Sequence, residues 1–337
     1  MQDLFIWPEA QQKDEEAANT QEAEDWLYMR ITCQTTEADT LLLKLVAPLA
    51  LDLWEQRLIR QCFFIRYYEG GHHLRVRFSG RPEDLFGPAR TLVDEHIHAY
   101  FAGGQQHLSE PLDRGPEGMK DRSWQPLYAA NTLRPVPSYE YQRYEPESER
   151  YGGPHGLQIS EQHFTFSSAA ALRVLRQESA GNGSRRNAAL LLLHASAESF
   201  QLDAGQKATS FEQFYLRRRA LAWRTPPDVG NLEQEYARNR ANLRLLIPYD
   251  LRAPAHRGQA VWLPLVEQWQ DKVGETYRAL QHLQEQGQLS TPLIVMLSAY
   301  IHMLCNRLGI YPREEAYLCY LLYRMYTERI ALGQASF

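Results

Sequence analysis

Arg66, His73, Arg75 and Arg77 lie on two β-rich runs either side of Gly70 and Gly71. Side-chain alternation can set them on one face when those runs pair. Glu147, Arg150 and Tyr151 fall within Tyr144–Gly153, ten residues that hold three glutamates, one arginine and two glycines. Towards the other end, Ser298, His302 and Asn306 recur every fourth residue, and Arg307 follows. These types suit one kind of work. Guanidinium groups stabilise oxyanions, a carboxylate beside them orients them or exchanges a proton, and a histidine gains and loses its charge near neutrality.

The elements that must position these side chains follow from local pattern. A two-residue turn at Gly70 and Gly71 predicts a hairpin in which Glu69 faces His72 and Arg66 lies opposite Arg75. In that register Phe63, Ile65, Tyr67, Leu74, Val76 and Phe78 share an apolar core face, and Arg66, Tyr68, His73, Arg75 and Arg77 share the other. Like charges across a ladder repel, so the second face needs an anion above it. A carboxylate from elsewhere in the chain and an anionic ligand both meet that need. For Tyr144–Gly153 the alternatives are a solvated turn and a site in which Glu147 neutralises Arg75 or Arg77, or acts as an acid or base under their charge. Thr291 as N-cap, Pro292 at the first position and Gly309 past the end delimit a helix around His302. Its polar stripe makes His302 either a satisfied interior residue or a proton shuttle whose tautomer Asn306 fixes.

In chain order, residues 1–25 read as an acidic flexible arm with little to bury. Trp26–Gln34 alternates as a strand, and Glu37–Arg57 is helical with a kink at Pro48. After the hairpin, Pro82–Ala102 is a second helix, ended by Gly103 and Gly104, and Ser138–Tyr144 a last strand. This β-α-β-β-α-β succession predicts an α+β fold with a ferredoxin-like sheet covered on one face by two helices, the arginine face turned away from them. Gln105–Pro137 is too long for a plain connection and is a candidate lid or substrate loop. From Ser160 onward the pattern predicts helices over Glu161–Gln177, Asn187–Leu202, Phe211–Ala222, Leu232–Leu246, Trp262–Gln286, Pro292–Leu308 and Glu314–Leu332, with Gly181–Ser184 and Asp250–Gly258 as loops. The expected division is the arm, a sheet subdomain over 26–159 and a mainly helical subdomain over 160–337, the two subdomains forming one domain.

Composition narrows the function classes. With 337 residues, 44% hydrophobic and 23% charged, the chain can bury a large core. A net charge of -5 argues against binding nucleic acid through bulk electrostatics. Cys33, Cys62, Cys305 and Cys319 are isolated, without metal-ligand spacing, which fits a reducing compartment. No signal segment or membrane span is legible, so the expected location is cytoplasmic. Metal clusters, phosphate-cradling glycine loops and dinucleotide fingerprints are not legible either, so no cofactor is expected.

Phe64–Tyr67 with His73–Phe78, then Pro146–Gly153 with Glu161–Ser168, and finally His302–Arg307 stand in the order seen in one protein family. Through them the chain resembles, from about Trp26 onward, the C-terminal elimination domain of lantibiotic dehydratases and its standalone relatives in thiopeptide-type bacteriocin biosynthesis. Correspondence is poor in Gln105–Pro137 and Gly181–Arg257. The resemblance implies β-elimination of glutamate from glutamylated Ser or Thr of a precursor peptide with a leader, giving dehydroalanine or dehydrobutyrine without a cofactor. It assigns Arg75, Arg77, Glu147, Arg150 and His302 to that site. There His302 handles the proton, Arg75 and Arg77 hold the glutamyl carboxylates, and Arg150 with Glu147 completes the charge framework. Arg66, His73, Tyr151, Asn306 and Arg307 follow as substrate-binding candidates. Nothing before Trp26 resembles the large glutamylating domain, which implies a separate protein that uses glutamyl-tRNA, with no nucleic acid or membrane bound by this chain. An oligomer is compatible with all of this. Two alternatives remain open: a pyridine synthase, joining two dehydroalanines and expelling the leader, and a non-catalytic peptide-docking subunit.

Overall fold

The computed structural model describes residues 25–68, 71–102, 138–222, 229–247 and 261–333. The expected acidic arm, Glu69 and Gly70 of the hairpin turn, Gly103 and Gly104, the Gln105–Pro137 loop and the Asp250–Gly258 loop lie outside the described residues.

Alternating apolar and polar residues build β1 (Asp25–Thr32), β2 (Gln61–Tyr67), β3 (His73–Gly80) and β4 (Ser138–Gln142). They form an antiparallel sheet in the order β2-β3-β1-β4. With a helical run after β1 and another after β3, this is the expected ferredoxin-like α+β arrangement. Each run contains a widened π-helical turn, Leu42–Val46 before Pro48 and Leu85–Ala89 around Pro88. Proline removes an N–H and crowds the preceding turn, so the helix loosens there rather than breaking. The two runs bury Leu41, Leu45, Leu49, Leu85, Val93 and Ile97, and the sheet face towards them carries Leu27, Met29, Ile31, Phe64, Leu74, Val76 and Phe78.

The hairpin register differs from the expected one by one residue. Tyr67 pairs with His73, Arg66 with Leu74, Ile65 with Arg75 and Phe63 with Arg77. Tyr68 and His72 are not ladder partners; Gly71 N–H donates to Tyr68 O at 3.0 Å. Buried His72 is claimed by other contacts: its ring lies edge-on to Tyr68 at 4.9 Å, its Nδ1 is 3.3 Å from Cys33 Sγ, and its carbonyl accepts from Cys33 N–H at 3.2 Å. Because the side-chain period is two, the slip exchanges the faces of β2. Phe63, Ile65 and Tyr67 therefore line the arginine face, and Arg66 points to the helices.

The chain divides into two compact units, one comprising residues up to Pro146 with Phe164–Arg176, the other Glu147–His163 with Gln177 to the end. The division comes earlier than residue 159. Within the first unit, Phe164 packs edge-on to Phe63 at 5.4 Å and Ser168 Oγ accepts from Phe64 N–H on edge strand β2 at 3.1 Å, so the middle of the Pro154–Ser179 helix belongs with the sheet. The second unit holds the helices Arg185–Ser199, Ala204–Ala222, Val229–Leu246, Leu263–Glu285, Leu293–Leu308 and Pro312–Ala331. The first of these is buried on every face from Ala188 to Ala197, the mark of a central helix. Trp269 Nε1 donates to its Ser196 Oγ at 2.9 Å, and the ring of Phe211 stacks on Tyr326 at 5.9 Å. Among the described residues no helix is long and apolar enough to cross a membrane.

Candidate active site

In the sheet unit, the strand face turned from the two helices carries Arg30 and Tyr28 from β1 and His73, Arg75 and Arg77 from β3, with Arg30 beside Arg75 and Tyr28 beside Arg77 in register. Arg66 is corrected out of this set: it is buried on the opposite face, where its guanidinium donates to Asp39 at 2.6 Å. Arg30 takes its place. Period-two alternation in β1, with Trp26, Tyr28, Arg30 and Thr32 against Leu27, Met29 and Ile31, carried the signal that could have found it.

Aromatic rings and a neutral histidine hold these arginines. Arg75 sits 3.5 Å above the Tyr67 ring. Arg77, only 7% exposed, lies 4.6 Å from the Tyr28 ring, 4.9 Å from Tyr144 and 5.3 Å from Phe63. Planar guanidinium on a ring face is both attracted and rotationally restricted. Arg30 makes a looser ion pair with Glu140 at 3.6 Å. His73 is not one more cation on this face. Its Nδ1 lies 2.8 Å from Gly71 O and so carries the proton, while Nε2 accepts from Arg75 Nε at 3.1 Å. Burial, with Arg30 and Arg75 nearby, pulls its pKa down to about 3, so it aims Arg75 as a neutral ring.

The helical unit holds the other candidates. Arg150 donates to Glu147 at 2.8 Å within a 3-10 turn, Ser148–Tyr151, and both side chains are exposed. Tyr151 is buried and stacked on Tyr300 at 6.1 Å. Gly152, at φ 84, accepts from Ser290 N–H at 3.1 Å, and a Cβ there would collide with Leu289 Cδ1. Its lack of a side chain lets the motif lie down against Leu289 and Ser290. Thr291 donates its hydroxyl to Glu149 O at 2.7 Å, and Pro292, not Thr291, is the N-cap of the Leu293–Leu308 helix, with Gly309 at its end as expected. The anchoring of the glutamate-rich turn outcompetes capping.

On that helix Ser298, His302 and Asn306 form a half-buried stripe. His302 Nδ1 lies 2.8 Å from Glu315 Oε2, and Glu315 Oε1 accepts from Arg218 at 2.8 Å. An ionised carboxylate only accepts, so it fixes the Nδ1–H tautomer and leaves Nε2 as the acceptor; the orienting role expected of Asn306 is filled by Glu315. Sequence reading missed Glu315 and Arg218. The legible sign was a glutamate in the apolar stripe that continues through Cys319, Leu322 and Tyr326. Arg307 lies at 0% exposure in the interior rather than on the stripe. There, after burial itself, it is the second cause holding His163 at about 3.

The family profile of the lantibiotic biosynthesis dehydratase C-terminal region matches residues 26–326, and the chain belongs to that family. It is 24% identical over 196 residues to the subtilin biosynthesis protein SpaB of Bacillus subtilis, a match that covers 58% of this chain and 16% of SpaB. Among solved structures, the tRNA-dependent lantibiotic dehydratase MibB from Microbispora sp. 107891 superposes with a TM-score of 0.65 at 22% identity, over 94% of this chain and 29% of MibB. TbtD, the pyridine synthase of thiomuracin biosynthesis, superposes with a TM-score of 0.71 at 19% identity, over 91% of this chain and 99% of TbtD. The chain thus spans a minor part of SpaB and MibB, and about the whole of TbtD. The two structural likenesses establish the fold.

Proposed function

We propose that this protein removes glutamate from glutamylated Ser or Thr of a ribosomally made precursor peptide, leaving dehydroalanine or dehydrobutyrine, in bacteriocin biosynthesis. The observation that carries the reading is the Arg218–Glu315–His302 arrangement: a buried, charge-paired carboxylate holding one imidazole nitrogen of a partly exposed histidine is the geometry of a general base. His302 Nε2 takes the α-proton. The Cα–H electron pair becomes the Cα=Cβ bond, the Cβ–O bond breaks, and glutamate departs with that electron pair as a free carboxylate. Negative charge grows on the peptide carbonyl and on the departing group, the charge that guanidinium groups stabilise. Arg75 and Arg77 serve the glutamyl carboxylates, already oriented by Tyr67, His73, Tyr28, Phe63 and Tyr144. Arg150 and Glu147 complete the charge framework. The reading implies no cofactor and a peptide already esterified with glutamate drawn from glutamyl-tRNA.

The test is incubation of the purified protein with glutamylated precursor peptide, followed by mass spectrometry. Conversion of each glutamyl ester to a dehydro residue with release of free glutamate supports the reading; intact esters sink it. A second reading, pyridine formation, is favoured by the near-complete overlap in extent with TbtD. It predicts loss of a leader peptide from a substrate already carrying two dehydroalanines, a product that the same spectrometer distinguishes.

A further inference from the structure

Tyr28 is 5% exposed, and its hydroxyl oxygen is fully buried with no hydrogen-bond partner among the described residues. An unmet buried hydroxyl is destabilising, and phenylalanine would fill the same space without that cost. The position is far from random. Tyr28 pairs with Arg77 in the ladder, its ring lies 4.6 Å under the Arg77 guanidinium, and Arg30 stands two residues along on the same face, opposite Arg75. Burial raises the Tyr28 pKa, with Glu140 acting in the same direction, and outweighs Arg75, Arg77 and Arg30, which favour the phenolate, so near neutral pH the group is an O–H donor in a mainly positive setting. The hydroxyl itself has no acceptor among the described residues, and a carboxylate is the acceptor that suits a donor beside guanidinium groups, in a bond that is strongest out of water.

We propose that the Tyr28 hydroxyl, together with Arg77 and Arg75, forms a carboxylate-binding site on this sheet face and donates a hydrogen bond to the glutamyl group. The identity of the carboxylate rests on the elimination reading; the site itself rests on the hydroxyl and its neighbours. Glu140, on β4, pairs with Arg30 from the side of β1 away from β3.

The test uses the full chain and its Tyr28→Phe variant, with free L-glutamate as the probe, titrated by calorimetry and by ligand-observed NMR, alongside thermal melts. The expected result is glutamate binding to the wild type, at least tenfold weaker binding to Tyr28→Phe, and a melting temperature equal to or above that of the wild type. Undiminished binding by Tyr28→Phe overturns the proposal. So does a loss of binding that comes with a lower melting temperature, which makes the hydroxyl structural, and so does a wild type that does not bind glutamate. The elimination assay separates the two readings. If glutamate binds through Tyr28 but glutamylated peptide stays intact, the carboxylate site stands and the elimination reading falls. If peptide is processed at equal rates by both proteins, elimination stands and Tyr28 is dismissed.

Discussion

The sheet unit and the helical unit prepare polar groups in opposite ways. On the sheet, the groups we propose as functional are cations, aimed by aromatic faces and by a histidine kept neutral, Tyr67 and His73 for Arg75, and Tyr28, Phe63 and Tyr144 for Arg77. In the helices the proposed functional group is His302, and an ion pair between Glu315 and Arg218 aims it. Rings restrict a guanidinium without cancelling its charge, so its attraction for an anion survives. A carboxylate bound to imidazole does the reverse, fixing the ring's orientation and tautomer while its own charge is taken up. The first device suits binding and charge stabilisation, the second suits proton transfer.

Substitutions can break that contrast, and the largest effect falls on the proton-handling side. His302→Ala should lower elimination by about 10²–10⁴-fold with an unchanged circular dichroism spectrum, read as accumulation of glutamylated peptide. A processing rate within threefold of wild type would remove His302 from the mechanism. On the sheet side, Arg77→Lys keeps the charge but not the planar stacking, and a loss of about 10–10²-fold is expected, mainly in KM, if orientation on the rings matters. Equal rates would mean that charge alone suffices. Glu315→Gln should cost about tenfold in kcat with KM little changed, because it positions His302 without reaching the peptide. Glu315→Ala additionally strands Arg218 and should cost about 3–5 kcal/mol in urea unfolding.

Smaller effects test the frame around both regions. Gly152→Ala should lose about 1–3 kcal/mol of stability, since φ is 84 and the added carbon meets Leu289, and refolding with normal stability would show that the turn can shift. Both units also bury neutral histidines. Burial brings His72 down to about 4 and His73, His163 and His194 to about 3, from an ordinary 6.5. Below pH 6.5 the unfolded chain takes up protons that the folded chain refuses. Stability is therefore full above that pH and declines as pH falls towards 4 and 3, by up to about 1.4 kcal/mol per pH unit for each histidine. A melting temperature flat from pH 7 to 4.5 would contradict this.

Much of the fold was legible because its signals are local. Alternation located four strands, a 3.6-residue period located the helices, and Pro48 marks where the first helical run widens; the widening at Pro88 was not read. Of the site, the histidine stripe and the arginines of β3 were legible as types on a pattern. Arg66 was misplaced because glycine pairs announce a turn but not its length, and His72 is drawn out of the ladder by Cys33 and Tyr68, residues whose proximity the sequence does not state. Arg30 and Glu315 escaped for a related reason: each becomes part of a site only through its neighbour on another element, Arg75 across the sheet and His302 on the adjacent helix.

The sequence alone determined which segments are strands and helices, and which side chains bear charge, since backbone propensity and periodic burial act over a few residues. Register, the choice of face for Arg66 and Arg30, the neutral state of His73 and the partner of His302 were decided by the tertiary structure. Those depend on desolvation and on contacts between elements far apart in the chain, and no local pattern encodes a distance.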